Sequence, residues 1–256
     1  MPRLERLRRY PVKGLNGVDV DAAAVRPAGT LAGDREYALF DPDGDPLNGK
    51  RTAAVHDLTT TFDPDAGVLT VEAPSRDRAT FELPAERERA SAWFSDVFDG
   101  EFTLERDDDR GFVDRPDMGP SVVSTATLEA VASWFDDLSV GSVRRRLRAN
   151  VEVSGVPAFW EDRFVGDDAP GFAVGGVRFE GLTPCGRCVV PSRDPDTGEA
   201  LPEFRERFVE KRRETFPGFA DPAAFDHLFA VMILARVPGA SGRPTLRVGD
   251  SVAVRE

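Results

Sequence analysis

Two cysteines, Cys185 and Cys188, are the only thiols in the 256-residue chain. The segment around them, Thr183-Pro184-Cys185-Gly186-Arg187-Cys188-Val189-Val190-Pro191-Ser192-Arg193-Asp194-Pro195-Asp196-Thr197-Gly198, is its strongest chemical signal. A spacing of three positions suits a metal or a redox couple, and one such pair cannot serve as a disulfide scaffold for so long a chain. An apolar strand over Val177 to Leu182 runs up to the pair, which predicts thiols at a strand terminus or on a loop, where a ligand can reach them. Four readings are open on the residues alone. A zinc half-site needs two more ligands, and only His56 and His227 are available, each isolated and each better read as a structural histidine. A dithiol couple normally opens a helix that lowers the first thiol's pKa, whereas Val189-Val190-Pro191 follows here. One cysteine can be the thiolate ligand of a soft transition metal, steadied by nearby Arg and Asp, and Cys188 suits that role if it is the more enclosed. The bland alternative is two small buried apolar side chains.

The elements that must position these groups are mostly short strands. Leu4 to Tyr10, Val18 to Val25, Glu36 to Phe40, Leu58 to Phe62, Val68 to Ala73 and Ala79 to Leu83 read as strands separated by Pro, Gly and Asp. One amphipathic helix is predicted from about Ala85 to Val97, with Ala90, Trp93, Phe94 and Val97 on one face. Residues 106–120 are the least regular stretch. Their run Asp107-Asp108-Asp109 reads as a solvated loop in preference to a metal cluster, and it marks a domain junction. Beyond it, a strand over Ser121 to Ser124 leads into a helix from about Ala126 to Leu138, capped by Ser124 or Thr125. Strands follow at 151–153, 172–174 and 177–182, then a polar helix from about Pro202 to Phe216, the apolar strand Leu228 to Val237 and a closing strand and turn over 245–252. Many short strands at this spacing suggest a barrel or sandwich with few helices.

Six ordered motifs resemble those of the MOSC family, the molybdenum-cofactor sulfurase C-terminal domain. The Cys-x-x-Cys segment with Asp194-Pro195-Asp196-Thr197-Gly198 is similar to its signature. Arg148-Ala149-Asn150-Val151-Glu152-Val153 and Ala158-Phe159-Trp160-Glu161-Asp162 resemble its Arg-Pro-Asn strand and Glu-Asp segment. Tyr10-Pro11-Val12-Lys13-Gly14-Leu15 and Gly33-Asp34-Arg35-Glu36-Tyr37 resemble the MOSC N-terminal β-barrel domain found in the amidoxime-reducing enzymes, and Leu246-Arg247-Val248-Gly249-Asp250 fits the closing strand.

The resemblance implies an α+β protein, with an N-terminal β-rich, barrel-like domain over 1–117 packed on a MOSC β-barrel-like domain with a few helices over 118–256. It also implies a molybdopterin-type molybdenum cofactor held between the two domains. It assigns Cys188 as catalytic metal ligand and leaves Cys185 a supporting role. It assigns Lys13, Arg35, Arg148 and Asn150 to cofactor binding, with Ser121, Ser124 and Thr125 as a looser transfer and Ser192 beside the metal. A phosphate-bearing pterin calls for Lys and Arg, and Arg favours bidentate contacts; outside the motifs Lys13 or Arg148 would read as ordinary surface charge. Asp194 fits either the shell around the metal or an Asp-Pro turn. Pyridoxal-phosphate binding is also associated with the family, with no residue here assigned to it. Three departures stand out: Gly14 where many relatives have Ser, Ala149 for the proline of Arg-Pro-Asn, and Pro191-Ser192 for a common Thr-Thr pair. The expected activity is reduction of N-hydroxylated compounds or N-oxides by oxygen removal, acting on a small-molecule substrate. Two cysteines cannot hold an iron–sulfur cluster, so the electrons are expected from separate electron-transfer proteins. The alternative is a sulfur carrier or cofactor-handling protein that uses a Cys188 persulfide without turning over an organic substrate.

Charge sets the outer limits. The chain carries 27 Asp and 18 Glu against 30 Arg and only three Lys, a formal charge of −12. Such a balance, without a basic cluster, argues against nucleic acid and against an anionic membrane surface. The N-terminal MPRLERLRRYPVKGL lacks an apolar signal core, and no apolar run reaches the ~20 residues of a membrane span, so a reducing cytoplasm is expected. The Asp-rich, Lys-poor surface also suits a salt-rich, halophilic cytoplasm.

Overall fold

In the computed structural model, which describes residues 1–115 and 117–255, the first half runs through eight strands and one helix. They are Arg3–Arg9 (β1), Val18–Asp19 (β2), Ala22–Ala24 (β3), Tyr37–Phe40 (β4), Thr59–Asp63 (β5), Val68–Ala73 (β6), Arg76–Glu82 (β7), the helix Arg87–Phe98 (α1) and Thr103–Arg106 (β8). The second half adds Ser121–Ser124 (β9), the helices Thr125–Ser133 (α2) and Val140–Leu147 (α3), then Val151–Ser154 (β10), Gly171–Val174 (β11) and Val177–Gly186 (β12). It closes with the helix Phe204–Glu214 (α4), Ala230–Arg236 (β13), Thr245–Arg247 (β14) and Val252–Arg255 (β15). The α+β class is as the family resemblance implies.

An eight-stranded sheet in the order β15-β11-β12-β13-β9-β10-β1-β2 carries the molecule. Strand β9 lies parallel to β10, and the other pairings are antiparallel. The sheet is not a closed barrel among the described residues. It is curled, however, so that Leu4 N–H donates to Asp250 O (2.8 Å) and Gly249 N–H to Leu4 O (2.8 Å), which brings β1 against the turn before β15. Both β1 and β3, from the N-terminal 117 residues, pair with strands of the second part, β10 and β14. Leu4 and Leu7 of β1 both face the core despite their three-residue spacing, because a bulge between Leu4 and Arg6 resets the alternation. Strand β13 reads as one apolar run because it is covered on both faces, Val231 packing into one cluster and Ile233 and Ala235 into another.

A separate meander, β5-β6-β7, and the pair β4-β8 build the N-terminal core with α1. Ala90, Trp93 and Phe94 of α1 are buried there as the stripe predicts. Full burial of each aromatic contributes about 2–3 kcal/mol, which is what holds so polar a helix in place.

Several elements differ from the sequence reading: β8 has no predicted counterpart, and the strand read over Val18 to Val25 is divided into β2, paired with β1, and β3, paired with β14. Helix α2 stops at Ser133, short of Leu138, because Trp134 and Phe135 N–H donate to Val131 O and Ala132 O in a tighter turn. That turn swings both rings onto α4, where Trp134 meets Phe208 and Phe135 stacks on Phe204. Strand β12 runs four residues beyond the expected end, so Cys185 belongs to a strand and only Cys188 lies past it. Helix α3 has no counterpart in the prediction, since three successive arginines hide its short stripe of Val143 and Leu147. Its N-cap, Ser139, accepting from Ser142 N–H (3.1 Å), was the readable signal.

Candidate functional site

A cavity of about 580 Å³ opens where the ends of β9, β10, β12 and β13 face the residues that follow β1 and those that precede β9. Its size lies within the roughly 300–1,000 Å³ of small-molecule sites. Ten of its lining residues are Lys or Arg and two are Asp, in a chain whose net charge is −12.

Tyr10 anchors one wall. Its backbone N–H donates to Asp34 Oδ1 (2.8 Å), and its carbonyl accepts from Arg35 N–H (2.7 Å). The guanidinium carbons of Arg148 and Arg35 lie 4.1 and 5.2 Å from its ring centroid, a cation–π arrangement. Burial raises the Tyr10 phenol, keeping it neutral. Arg35 also pairs with the buried Asp34. Burial works against the Arg35 charge, and Asp34 more than offsets it, so its pKa stands above the ordinary value. Arg148 has no such partner: it donates to Leu15 O (2.7 Å), and burial pulls its pKa down to about 10. It sits at this spot because it ends α3 in the left-handed conformation, φ 59°, with its N–H on Arg144 O.

Asn150 and Ser121 tie the strand ends below this wall. Asn150 Oδ1 accepts from Ser121 N–H (3.2 Å) and Oγ (3.1 Å), while Nδ2 donates to Arg8 O (3.1 Å). One amide thus fixes β9, β10 and β1 in register. Lys13, held by its N–H on Tyr37 O, directs its ammonium at Asp114 (2.6 Å), which also faces Lys50 (3.5 Å). Burial opposes the Asp114 charge, but the two lysines and Arg35 outweigh it and hold the carboxylate below its usual range. Gly14 beside Lys13 has φ 89°, and a Cβ there would lie 3.1 Å from Leu47 O. The glycine found in place of the family's serine is therefore the residue this backbone takes without strain.

The opposite wall is the turn after the thiols, fastened to α3. Arg146, buried, donates to Asp194 Oδ2 (3.0 Å), to Pro191 O (3.1 Å) and to Arg193 O. Burial lowers its pKa, with Asp194 working against that. Arg145 grips both oxygens of Asp196. Asp194 Oδ1 accepts from Asp196 and Thr197 N–H, so Asp194 is both the Asp-Pro turn and an arginine partner. Arg187 reaches Cys185 Sγ with Nη1 (3.0 Å) and Leu147 O with Nη2 (3.1 Å).

The family model of the MOSC N-terminal beta barrel domain matches residues 1–140, and that of the MOSC domain matches residues 115–253. The chain belongs to the MOSC family. Over an alignment of 234 residues it is 25% identical to mitochondrial amidoxime reducing component 2 of Bos taurus, covering 74% of this chain and 66% of that relative. The chain thus spans about two thirds of that relative's length. A solved structure, the YUAD protein from Bacillus subtilis, aligns over 98% of this chain and 94% of that one at 15% identity and a TM-score of 0.41. The MOSC domain is associated with molybdenum-cofactor binding.

In this MOSC protein the cavity brings together Lys13, Arg35, Ser121, Arg148, Asn150, Cys185 and Cys188. Ser192 is not part of its lining: its hydroxyl donates to Val189 O (2.6 Å) and closes a turn. Ser124 and Thr125 also serve elsewhere, Ser124 capping α2 and Thr125 donating to Glu152. Both cysteines are half-buried, and it is Cys185, not Cys188, that packs against a core cluster. Enclosure therefore does not single out Cys188. Among the described residues no three His, Cys, Asp or Glu side chains come together as a metal cage, and Asp107 Oδ1 accepts from Asp109 and Arg110 N–H as a loop turn. The sequence reading missed Tyr10 as the platform, Arg145 and Arg146 as turn fasteners, and Arg187, Arg193, Lys50 and His56 as lining. The single-letter signal for several was present in the RRRLR run, which reads as a solvated face until α3 is recognised.

The residues fit an anionic pterin cofactor. The guanidinium Nε atom of Arg187 is buried without a partner among the described residues, and an anion is the natural complement. The two thiols lie on the same cavity. No helix among the described residues is long and apolar enough to cross a membrane.

Proposed function

We propose that this MOSC protein is a molybdenum-cofactor-dependent oxidoreductase that removes oxygen from N-hydroxylated compounds or N-oxides, with Cys188 as the thiolate ligand. The observation that carries the reading is the cavity itself: an excess of cations around two thiols inside an acidic chain. When bound, the cofactor supplies a metal able to exchange an oxygen atom with substrate. Lys13, Arg35 and Arg148 bind its phosphate and pterin by charge-assisted hydrogen bonds. Asn150 and Ser121 act one step back, since their own bonds keep the strand ends and the Arg8 carbonyl in place. Arg145 and Arg146 hold the turn that presents Cys188, and Tyr10 stays protonated beside the arginines. Reducing electrons come from separate electron-transfer proteins, and resemblance to the amidoxime-reducing component of cattle supports the substrate class.

The test is reduction of benzamidoxime by reduced viologen, with chain loaded with the molybdenum cofactor. Wild type is expected to turn over, Cys188→Ser to lose at least about 100-fold of the rate, and Cys185→Ser to keep most of it. Mass spectrometry on the same preparations separates the rival: a Cys188 carrying an extra sulfur, with no turnover in wild type, would establish a sulfur carrier instead.

A further inference from the structure

One edge of the cavity is not used by the cofactor assignment. It is formed by Gly49, Lys50, His56, Val190 and Arg193. His56 lies in the short 3-10 turn Ala53–Asp57, which Thr52 caps by accepting from Ala54 N–H (3.2 Å). Two glycines make room for the imidazole. A Cβ on Gly49 would stand 2.9 Å from His56 Nε2 and 3.5 Å from Val190 Cγ2, and one on Gly198 would stand 3.4 Å from His56 Cβ. Arg193 reaches the same glycine, donating to Gly198 O (3.3 Å). The histidine and the arginine thus share one corner.

Both are left incomplete. His56 Nε2 and Arg193 Nε are shut off from solvent and bonded to nothing among the described residues. The nearby carboxylates are taken, Asp194 by Arg146 and Asp196 by Arg145. Arg193 forms no ion pair among the described residues. Arg193 is half-buried on the cavity wall, and a cation placed there without a counter-charge favours a ligand that supplies one. We propose that His56 and Arg193 form an anion subsite, distinct from the Lys13–Arg35–Arg148 cluster, that receives a carboxylate or oxoanion group of the substrate. The proposal rests on this cavity being the substrate site, and it makes the preferred substrates anionic.

The subsite carries its own reporter. Burial, then Arg193 and Arg148, oppose a proton on His56, whereas the Pro195 carbonyl and Asp57 favour it; the balance holds its pKa below the ordinary value. An anion seated between His56 and Arg193 screens the arginine and favours the imidazolium, so anion affinity rises as pH falls.

The full chain contains two histidines, so imidazole NMR resolves His56 from His227. The pH titration is run at constant ionic strength with millimolar benzoate, sulfate or chloride. The expected result is a rise of about half a pH unit or more for His56 with benzoate or sulfate, no change for His227, and no rise in Arg193→Gln. Gly49→Ala, which crowds Nε2, is expected to abolish the response with Arg193 intact. The proposal is overturned if His56 does not respond, if the rise survives Arg193→Gln, or if Lys13→Gln removes it, which would put the anion in the other cluster. The measurement needs neither molybdenum nor turnover, so its failure leaves the oxidoreductase reading standing, and failure of that reading leaves this one measurable.

Discussion

Arg212 is taken wholly out of water and Arg148 partly, on a cavity wall, and the protein treats them in opposite ways. Arg212 is fully buried and paired with the buried Asp162. Its guanidinium carbon lies 4.3, 5.0 and 5.6 Å from the ring centroids of Phe159, Phe216 and Phe225. Its Nε donates to Ala230 O (3.3 Å), stitching α4 to β13. Arg148 meets one tyrosine ring and one carbonyl, with no carboxylate in ion-pair contact among the described residues. A charge compensated from within is structural, and a charge left uncompensated beside a cavity is kept for a ligand.

The largest expected effect is at the compensated site. Arg212→Met leaves Asp162 buried without a counter-charge and is expected to cost about 3–5 kcal/mol in denaturant unfolding. A loss below about 1 kcal/mol would mean that the pair does not hold α4 on the sheet, and the contrast with Arg148 would collapse.

Glu161, next to that pair, gives the second test. It is fully buried; Oε2 accepts from Ser124 N–H (3.3 Å) and Oε1 has no partner. Burial first, then the Asp162 charge, push its pKa up to about 7. A carboxyl whose folded pKa is raised contributes stability that is full below its unfolded value and is lost as pH rises through the folded one. Glu161→Gln, which mimics the protonated form, should therefore gain about 2–3 kcal/mol on wild type between pH 5 and pH 8. Parallel stability curves over that range would show that Glu161 is ionised in the fold and that this region is less well compensated than described.

The same contrast explains what the sequence disclosed. The apolar stripe of α1 and the continuous run of β13 were legible because burial acts on side-chain period, which the sequence carries directly. The Cys-x-x-Cys segment and the lysine and arginines of the matched motifs led to residues that the fold gathers on one cavity, Cys188, Lys13, Arg35 and Arg148 among them. Arg212 was not legible as a core residue: in a helix reading FRERFVEKRRE its charge predicts a solvated side chain, and only Asp162, fifty positions earlier, alters that. His56 and Arg193 were hidden for a related reason. Their significance is an unmet hydrogen-bonding capacity, which depends on what neither residue touches. Ser192 failed in the other direction, because a hydroxyl near the thiols in sequence is spent on its own turn.

The central claim is that the wall around Tyr10, with Arg148 left uncompensated, holds a pterin cofactor. The most direct measurement is the molybdenum and pterin retained per chain after purification from a host that makes the cofactor, for wild type and Arg148→Gln, with thermal unfolding in parallel. The account predicts retention close to one per chain in wild type, and at least about a tenfold loss in Arg148→Gln with stability changed by less than about 1 kcal/mol. Equal retention in the two proteins, or a variant that loses the cofactor only because it unfolds, would contradict it.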